Sequence, residues 1–299
     1  MSAADVAVKA YPLLEYEDFK ILLAIESGMS KYAFIPVEFI EKTSNLPPKR
    51  VAYRLSKLHS LGLIRRWSGS YTGYTLKTAG LDCLAIDALV KANLLEAFGK
   101  SLGVGKEADV YDALTPEGKR VAVKFHRLGR SFKQSKKLRS YASEYTTSWF
   151  QQSIKAAKRE YKALKLVYPV GVAVPEPLGR NRHVIVMGMI EGEELYKFTW
   201  LPNPKKTLKE ILDNIRISYL KAGVIHGDLS EFNVIVKPNW KILIIDWPQY
   251  VDSFHPNAKF LLERDIKNIL KFFERKFKLT LELNEVLSYV VGETEYIKL

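Results

Sequence analysis

A chain of 299 residues and 34.2 kDa, 47% of it hydrophobic, is long enough for two or three compact units with their own cores, which excludes a disordered polymer. A single cysteine, Cys83, excludes an internal disulfide, and no apolar run approaches the ~18 residues of a membrane span. The opening MSAADVAVKAYPLLEYEDF lacks the basic start and apolar core of a signal peptide, so a soluble cytoplasmic protein with no membrane partner is expected. The net charge of +13 is unevenly spread: residues 1 to 98 hold 12 basic against 10 acidic residues, while Arg120 to Lys165 alone hold 13 basic residues against Glu144 and Glu160. Such a field favours polyanions, whether nucleotide, RNA or an anionic surface; a solvated basic face with no partner is the alternative.

Three helix-like patterns open the chain, at Tyr16 to Ser27, Val37 to Thr43 and Pro48 to Leu61, each with apolar residues at helical spacing. Two strand-like runs, Leu63 to Trp67 and Tyr71 to Leu76, flank the turn Ser68-Gly69-Ser70. Three helices and a two-stranded wing predict a winged helix over residues 1–83, whose third helix enters a nucleic-acid groove in many such domains. On that helix Lys49, Arg50, Arg54 and Lys57 lie off the apolar stripe and are the candidate phosphate contacts. A protein-docking module is the other reading of the same domain. A helical connector from Lys77 to Phe98, assigned as its own segment over 84–98, leads on without a Pro-rich or Ser-rich linker, so the two parts are expected to pack together.

The run SLGVGKEADVYDAL predicts strand, glycine turn, strand, with Gly103, Val104, Gly105 and Lys106 in the turn and Val110 beyond it. Glycine lets backbone approach phosphates closely, and the spacing is that of a kinase phosphate loop. The next strand places Lys124 where a kinase lysine pairs the α/β-phosphates. Glu160, on a helix from Ile154 to Val167, is the candidate ion-pair partner of Lys124, with Glu144 as its rival. Between them an inserted loop, roughly 127–145, is rich in Ser, Lys, Arg and Tyr and is expected to be a mobile element over the phosphates. In HVIVMGMIEGEEL, Met187 would border the adenine, with the Gly188 C=O and Ile190 N–H on its edge; Val110 and Ala122 would cover it from above and Ile235 and Ile245 from below.

A helix from Leu208 to Ala222 ends at Gly223 and delivers HGDLSEFNVIV and then ILIIDWPQYV. Asn233 follows Asp228 by five residues and Asp246 follows it by eighteen, which is the kinase order of catalytic base, first metal ligand and second metal ligand. A polar turn between a helix and a strand is the bland alternative, and it explains none of the upstream matches. His226 reads as a structural hydrogen-bonding residue. The remaining 53 residues hold two helices, near Glu263 to Phe277 and Asn284 to Val291, with no APE motif and no room for a peptide-binding lobe. The fold class is therefore α+β: a winged-helix domain, then a compact bilobal kinase-like domain with its N-lobe over 99–187 and a truncated, mainly helical C-lobe over 188–299.

GVGKEADVY, VAVKFHRLGR, HGDLSEFNVIV and IDWPQ together resemble the RIO family of atypical serine kinases, specifically the second subfamily with an N-terminal winged helix, over nearly the whole chain. The short C-terminus suggests an archaeal form. The resemblance implies an enzyme that uses ATP with Mg2+ (or Mn2+), with Lys124, Asp228 and Asp246 catalytic and Asn233 and Asp246 on the metal. It further implies action in maturation of the small ribosomal subunit, bound to precursor rRNA and ribosomal proteins, as a monomer. Asp246 is then itself a phosphate acceptor, making the protein an ATPase as much as a kinase. Two departures bear on this: Ala108 stands where the family commonly has a phosphate-contacting Ser, and Trp247 follows the metal Asp where Phe is frequent. Asp-Trp and HGDL also occur in aminoglycoside-type phosphotransferases, so a small-molecule kinase is one alternative and a nucleic-acid-binding regulator that senses nucleotide is another.

Overall fold

The computed structural model describes residues 2–105, 107–127 and 149–298. They fall into two compact units, Met1–Lys119 with Val123–Arg127, and Arg120–Ala122 with the rest of the chain. Among the described residues no helix is long and apolar enough to cross a membrane.

The first unit begins with a helix the periodicity did not predict, α1 (Ala3–Ala10), capped by Ser2, whose Oγ accepts the Asp5 N–H. Its buried face is built of Ala4, Ala7 and Ala10, too small to register as an apolar stripe. After a 3-10 turn at Tyr11–Leu13 come α2 (Tyr16–Gly28), β1 (Ile35–Pro36), α3 (Val37–Ser44) and α4 (Pro48–Ser60). The wing is β2 (Ile64–Ser68) and β3 (Thr72–Leu76), in a three-stranded sheet of order β1-β3-β2. The next helix, α5 (Thr78–Lys91), buries nine residues including Leu84, Ile86 and Leu89, and its Cys83 thiol donates to the Ala7 carbonyl of α1 at 3.7 Å. The expected connector over 84–98 is thus corrected. Its first half is the buried end of α5, which stops before Asn93 at φ 56°, and its last residues open a strand.

That strand is β4 (Ala97–Val104), antiparallel to β5 (Ala108–Leu114) and followed by β6 (Arg120–His126). Tyr111 on β5 donates its hydroxyl to Asp5 at 2.5 Å, and its ring meets those of Phe98 and Phe125. Arg127, expected to open the inserted loop, is instead buried to 1% exposure. Its Nη1 and Nη2 donate to the two carboxylate oxygens of Asp82 on α5 at 2.9 and 2.7 Å, and its Nε donates to Asp109 on β5 at 3.0 Å. Both carboxylates are fully buried. The planar guanidinium fork fits this three-point arrangement, which an ammonium would not.

The second unit starts with α6 (Trp149–Val167), the hairpin β7 (Pro177–Asn181) and β8 (Val184–Gly188), and the short β9 (Glu193–Glu194). Then α7 (Pro204–Ile217) runs into a π turn at Ser218–Ala222 and stops at Gly223, φ 64°. Short strands follow: β10 (Val224–Ile225), β11 (Val234–Val236), β12 (Ile242–Ile244) and β13 (Val251–Asp252), in sheets ordered β12-β11-β9 and β10-β13. The chain closes with α8 (Ala258–Phe277) and α9 (Leu283–Val291). Leu208, Ile211 and Leu212 of α7 share one core with Leu262, Ile266, Ile269 and Phe273 of α8 and Val286 and Val290 of α9. Burying this core fixes α8 beneath the loop between β10 and β11, which is where the site residues stand.

Removing Arg127 would take three hydrogen bonds and a positive charge away from two buried carboxylates. Arg127→Leu is expected to lower unfolding free energy by about 3–5 kcal/mol in urea titrations, the usual cost of breaking a buried ion pair from one side. A loss below about 1 kcal/mol would show that Asp82 and Asp109 do not depend on it.

Candidate active site

The loop leaving β10 is shaped from below by α8. Gly227 has φ 78°, and a Cβ there would stand 2.6 Å from the Gln249 carbonyl, so no other residue fits without displacing backbone. Asp265 of α8 accepts the Gly227 N–H at 2.7 Å and the Leu229 N–H at 3.0 Å. Arg264 donates to the Gly227 carbonyl, and Asn268 Nδ2 donates to the Leu229 carbonyl at 3.0 Å. Four bonds therefore fix the residues on either side of Asp228, whose own side chain is 66% exposed, with Arg264 Nη2 4.0 Å from its Oδ1. A carboxylate held rigidly by its backbone while its side chain faces solvent is what a positioning base requires.

His226 is buried, with Nε2 3.0 Å from the Ile245 carbonyl and its ring 4.5 Å from that of Trp247. Burial lowers its pKa, against the Ile245 hydrogen bond and the charges of Asp246, Asp228 and Glu160, so a structural neutral imidazole is the species this pocket favours. Asn233 donates from Nδ2 to the Asp228 carbonyl at 2.8 Å, leaving Oδ1 as the side chain's acceptor. Its own carbonyl accepts the Ile245 N–H at 2.9 Å, continuing the pairing of Val234 with Ile244. Asp246, the next residue, is thereby brought beside Asn233. It sits at φ 68°, a left-handed conformation rare for a residue with a side chain and frequent at functional sites. The turn is held on its far side by buried Trp247, whose Nε1 donates to the Ile244 carbonyl at 3.2 Å, and by Arg159 of α6, whose Nε donates to the Pro248 carbonyl at 2.8 Å.

Two hard oxygen donors make an incomplete cage, and among the described residues no cluster of three or more His, Cys, Asp or Glu could hold a metal alone. This donor set fits Mg2+, which binds through one or two protein oxygens and completes its shell with water and phosphate oxygens; it does not fit zinc or an all-protein calcium site.

The other sequence-predicted residues divide between the two units. In the second unit Ala122, Met187, Ile235 and Glu160 are buried, while Gly188, Ile190 and Ile245 are half-buried. The Gly188 N–H is spent on the Glu176 carbonyl at 2.8 Å. In the first unit Lys124 is buried on β6, Val110 is half-buried on β5, and Gly103 and Val104 form an exposed end of β4, followed by Gly105, whose N–H donates to the Ala108 carbonyl at 2.8 Å. Lys106, Glu144 and the inserted loop beyond Arg127 lie outside the described residues.

The winged-helix contacts need correction. Arg54 is buried and donates to Glu15 at 2.9 Å, Glu17 at 3.0 Å and Asp18 at 3.5 Å. Lys57 binds Asp18 at 2.7 Å and Glu15 at 3.2 Å, and Arg50 pairs with Glu17 at 3.1 Å. Arg54 and Lys57 hold the Glu15 carboxyl down at about 2. Arg54 and Lys57 fasten α4 to the start of α2, Arg50 pairs with Glu17 while 60% exposed, and of the four only Lys49 has no ion pair among the described residues. The signal was present in the acidic first turn of α2.

Sequence reasoning also missed Asp265, Arg264 and Asn268. Asp265 falls between Leu262 and Ile266 on the apolar stripe of α8, and a carboxylate on a core-facing stripe needs a buried partner. Burial pushes its pKa up to about 6, with the Gly227 and Leu229 amides and Arg264 drawing it back. A carboxyl with a raised folded-state pKa stabilises the protein most below its unfolded value and loses that contribution as pH rises towards 6. The stability of the wild type relative to Asp265→Asn is therefore expected to fall by about 3 kcal/mol between pH 3.5 and 7. Urea titrations of both proteins across that range check it, and a flat difference would contradict it.

Comparison with known proteins accords with this geometry. Residues 109–286 match the RIO domain and residues 11–92 match the Rio2 N-terminal domain. The RIO-type serine/threonine-protein kinase Rio2 of Methanocaldococcus jannaschii is 38% identical over 274 residues, 88% of this chain and 99% of that protein. The serine/threonine-protein kinase rio2 of Schizosaccharomyces pombe is 36% identical over 277 residues, 92% of this chain and 80% of that protein. A crystal structure of the Rio2 kinase-ADP/Mg2+-phosphoaspartate complex from Chaetomium thermophilum matches with a TM-score of 0.80 at 28% identity, covering 97% of this chain and 94% of that one. The chain belongs to the RIO family of serine/threonine-protein kinases, with a Rio2-type winged-helix domain ahead of a kinase-like RIO domain.

Proposed function

We propose that this chain moves the γ-phosphoryl group of ATP in a Mg2+-dependent step and does so as a maturation factor of the small ribosomal subunit, in the cytoplasm, bound to precursor rRNA and ribosomal proteins. The observation that carries the chemical part is the loop 227–229, clamped by α8 with Asp228 exposed, beside the Asn233–Asp246 turn. Asn233 and Asp246 would hold Mg2+, which would supply charge neutralisation at the phosphates. Lys124 holds the α/β-phosphates, and Asp228 accepts the proton of the attacking hydroxyl or water.

Asp246 is also the candidate acceptor. Its carboxylate oxygen attacks the γ-phosphorus, the bond to the β–γ bridging oxygen breaks, and ADP leaves with the electron pair. The resulting acyl phosphate is cleared by a water whose proton passes to Asp228, releasing inorganic phosphate. The phosphoaspartate in the Chaetomium thermophilum relative supports this route. The alternative of a duplex-binding regulator loses support, because Arg50, Arg54 and Lys57 are engaged by α2 carboxylates.

The test is ATP consumption with Mg2+, alone and with small-subunit precursor particles, counting acid-labile and acid-stable phosphate on the protein. Particles are expected to stimulate hydrolysis, Asp246→Asn to lose the labile phosphate, and Asp228→Ala to slow turnover by about 10²-fold or more. Full turnover in Asp228→Ala would remove it as the base, and transfer to a small alcohol in a substrate panel would replace the ribosomal reading.

A further inference from the structure

With most candidate cations of the winged helix committed to carboxylates, a nucleic-acid partner needs other contacts, and the second unit offers a set of a different kind. Trp200 is 65% exposed and Trp240 is 43% exposed, an unusual state for the largest apolar side chain. Their rings meet edge to face at 5.8 Å and 87°, and Trp240 meets Phe198 in the same manner at 6.2 Å and 69°. Phe198 is partly buried against the core and roots the group. An edge-to-face contact covers a face of only one of the two rings, whereas a face-to-face stack hides a face of each.

The backbone strengthens the case. Trp240 lies in the tight turn between β11 and β12, closed by Lys237 N–H to Lys241 C=O at 2.8 Å and Trp240 N–H to Lys237 C=O at 2.9 Å. Its φ is 64°, a left-handed position that glycine or asparagine fills without strain and that a bulky side chain rarely adopts. A tryptophan at this position gains only partial burial, against Phe198 and Trp200, in return for the strain.

Charge selects the occupant. The segments 195–206 and 237–241 carry five lysines and no carboxylate. Lys197 is engaged by Glu193 and Glu194, but among the described residues Lys206, Lys237 and Lys241 have no ion-pair partner. Uncovered aromatic faces interleaved with uncompensated cations are the features that hold bases by stacking and backbone phosphates by charge. We propose that the Phe198–Trp200–Trp240 cluster, with Lys206, Lys237 and Lys241, is a stacking platform for single-stranded nucleic acid. It would give the precursor RNA of the proposed function a contact surface, and to that extent rests on that reading, but it uses none of the ATP-site residues.

The test is anisotropy titration of the full chain with a labelled 12-nucleotide single-stranded oligouridine and with a duplex of equal length, in low and high salt. Wild type is expected to prefer the single strand, and Trp200→Ala and Trp240→Gly each to weaken it by about 5- to 150-fold. Trp240→Gly places the residue the turn favours, so its thermal midpoint is expected to hold or rise, and Trp240→Asn is a second variant of the same kind. Single-strand affinity unchanged in both tryptophan variants, equal binding of the duplex, or displacement by a proline-rich peptide rather than by unlabelled RNA would each overturn the platform. ATP turnover stimulated by precursor particles but without oligouridine binding would sink this proposal alone; oligouridine binding without turnover would sink the ATPase reading alone.

Discussion

Two backbone N–H groups, those of Gly227 and Leu229, converge on the single carboxylate of Asp265, and the candidate chemistry of this protein depends on that convergence. The residue between them must be held in place while keeping its side chain in solvent, and a loop would not do both unaided. Asp265 is itself placed by the burial of Leu262, Ile266, Ile269 and Phe273 against α7 and α9, so core packing is converted into the position of one exposed oxygen pair. A carboxylate in that position costs desolvation, which is why its pKa rises to about 6. An apolar residue would avoid the cost and lose the loop.

The same trade appears twice in the first unit. Arg127 is withdrawn from water to tie Asp82 on α5 to Asp109 on β5, and Arg54 is withdrawn to tie α4 to three acidic residues near the start of α2. Replacing such pairs with hydrophobic residues is often neutral for stability, so their value is geometric: a planar fork with fixed donors admits one arrangement of its partners. Arg127, Arg54 and Lys57, part of the basic charge that suggested polyanion binding, are held by carboxylates, and cations without an ion pair among the described residues occur in the second unit. In the second unit, three of them, Lys206, Lys237 and Lys241, lie in the same two segments of sequence as the exposed Trp200 and Trp240.

What could be read in advance follows a physical line. The winged helix and the kinase-like elements were legible because their apolar residues are large and periodic, and Asp228, Asn233 and Asp246 because phosphoryl transfer tolerates few spacings. The alanine-faced α1 was not legible, since its buried side chains are too small to raise the local hydrophobicity. The run to Phe98 was read as continuous helix because apolar density persists past Lys91, where only Asn93 at positive φ marks the stop. Arg50, Arg54 and Lys57 were misassigned because a cation off the apolar stripe looks the same whether it faces solvent or a neighbouring acidic turn. Asp265 breaks an apolar stripe, a misfit that calls for a buried partner.

These constraints describe a rigid platform for a small reaction: backbone clamped from α8, a strained Asp246, and two protein oxygens for a third of a magnesium shell. Misplacing a reacting group by about 1 Å can cost about 10²-fold in rate while leaving binding contacts in place. The most direct measurement is therefore the single-turnover rate of phosphoryl transfer from ATP in wild type and Asp265→Asn, with nucleotide affinity measured on the same samples. A rate lowered by about 10²-fold with affinity nearly unchanged is the predicted result. An unchanged rate, or a loss carried wholly by affinity, would contradict the claim that α8 sets the chemistry by holding the loop.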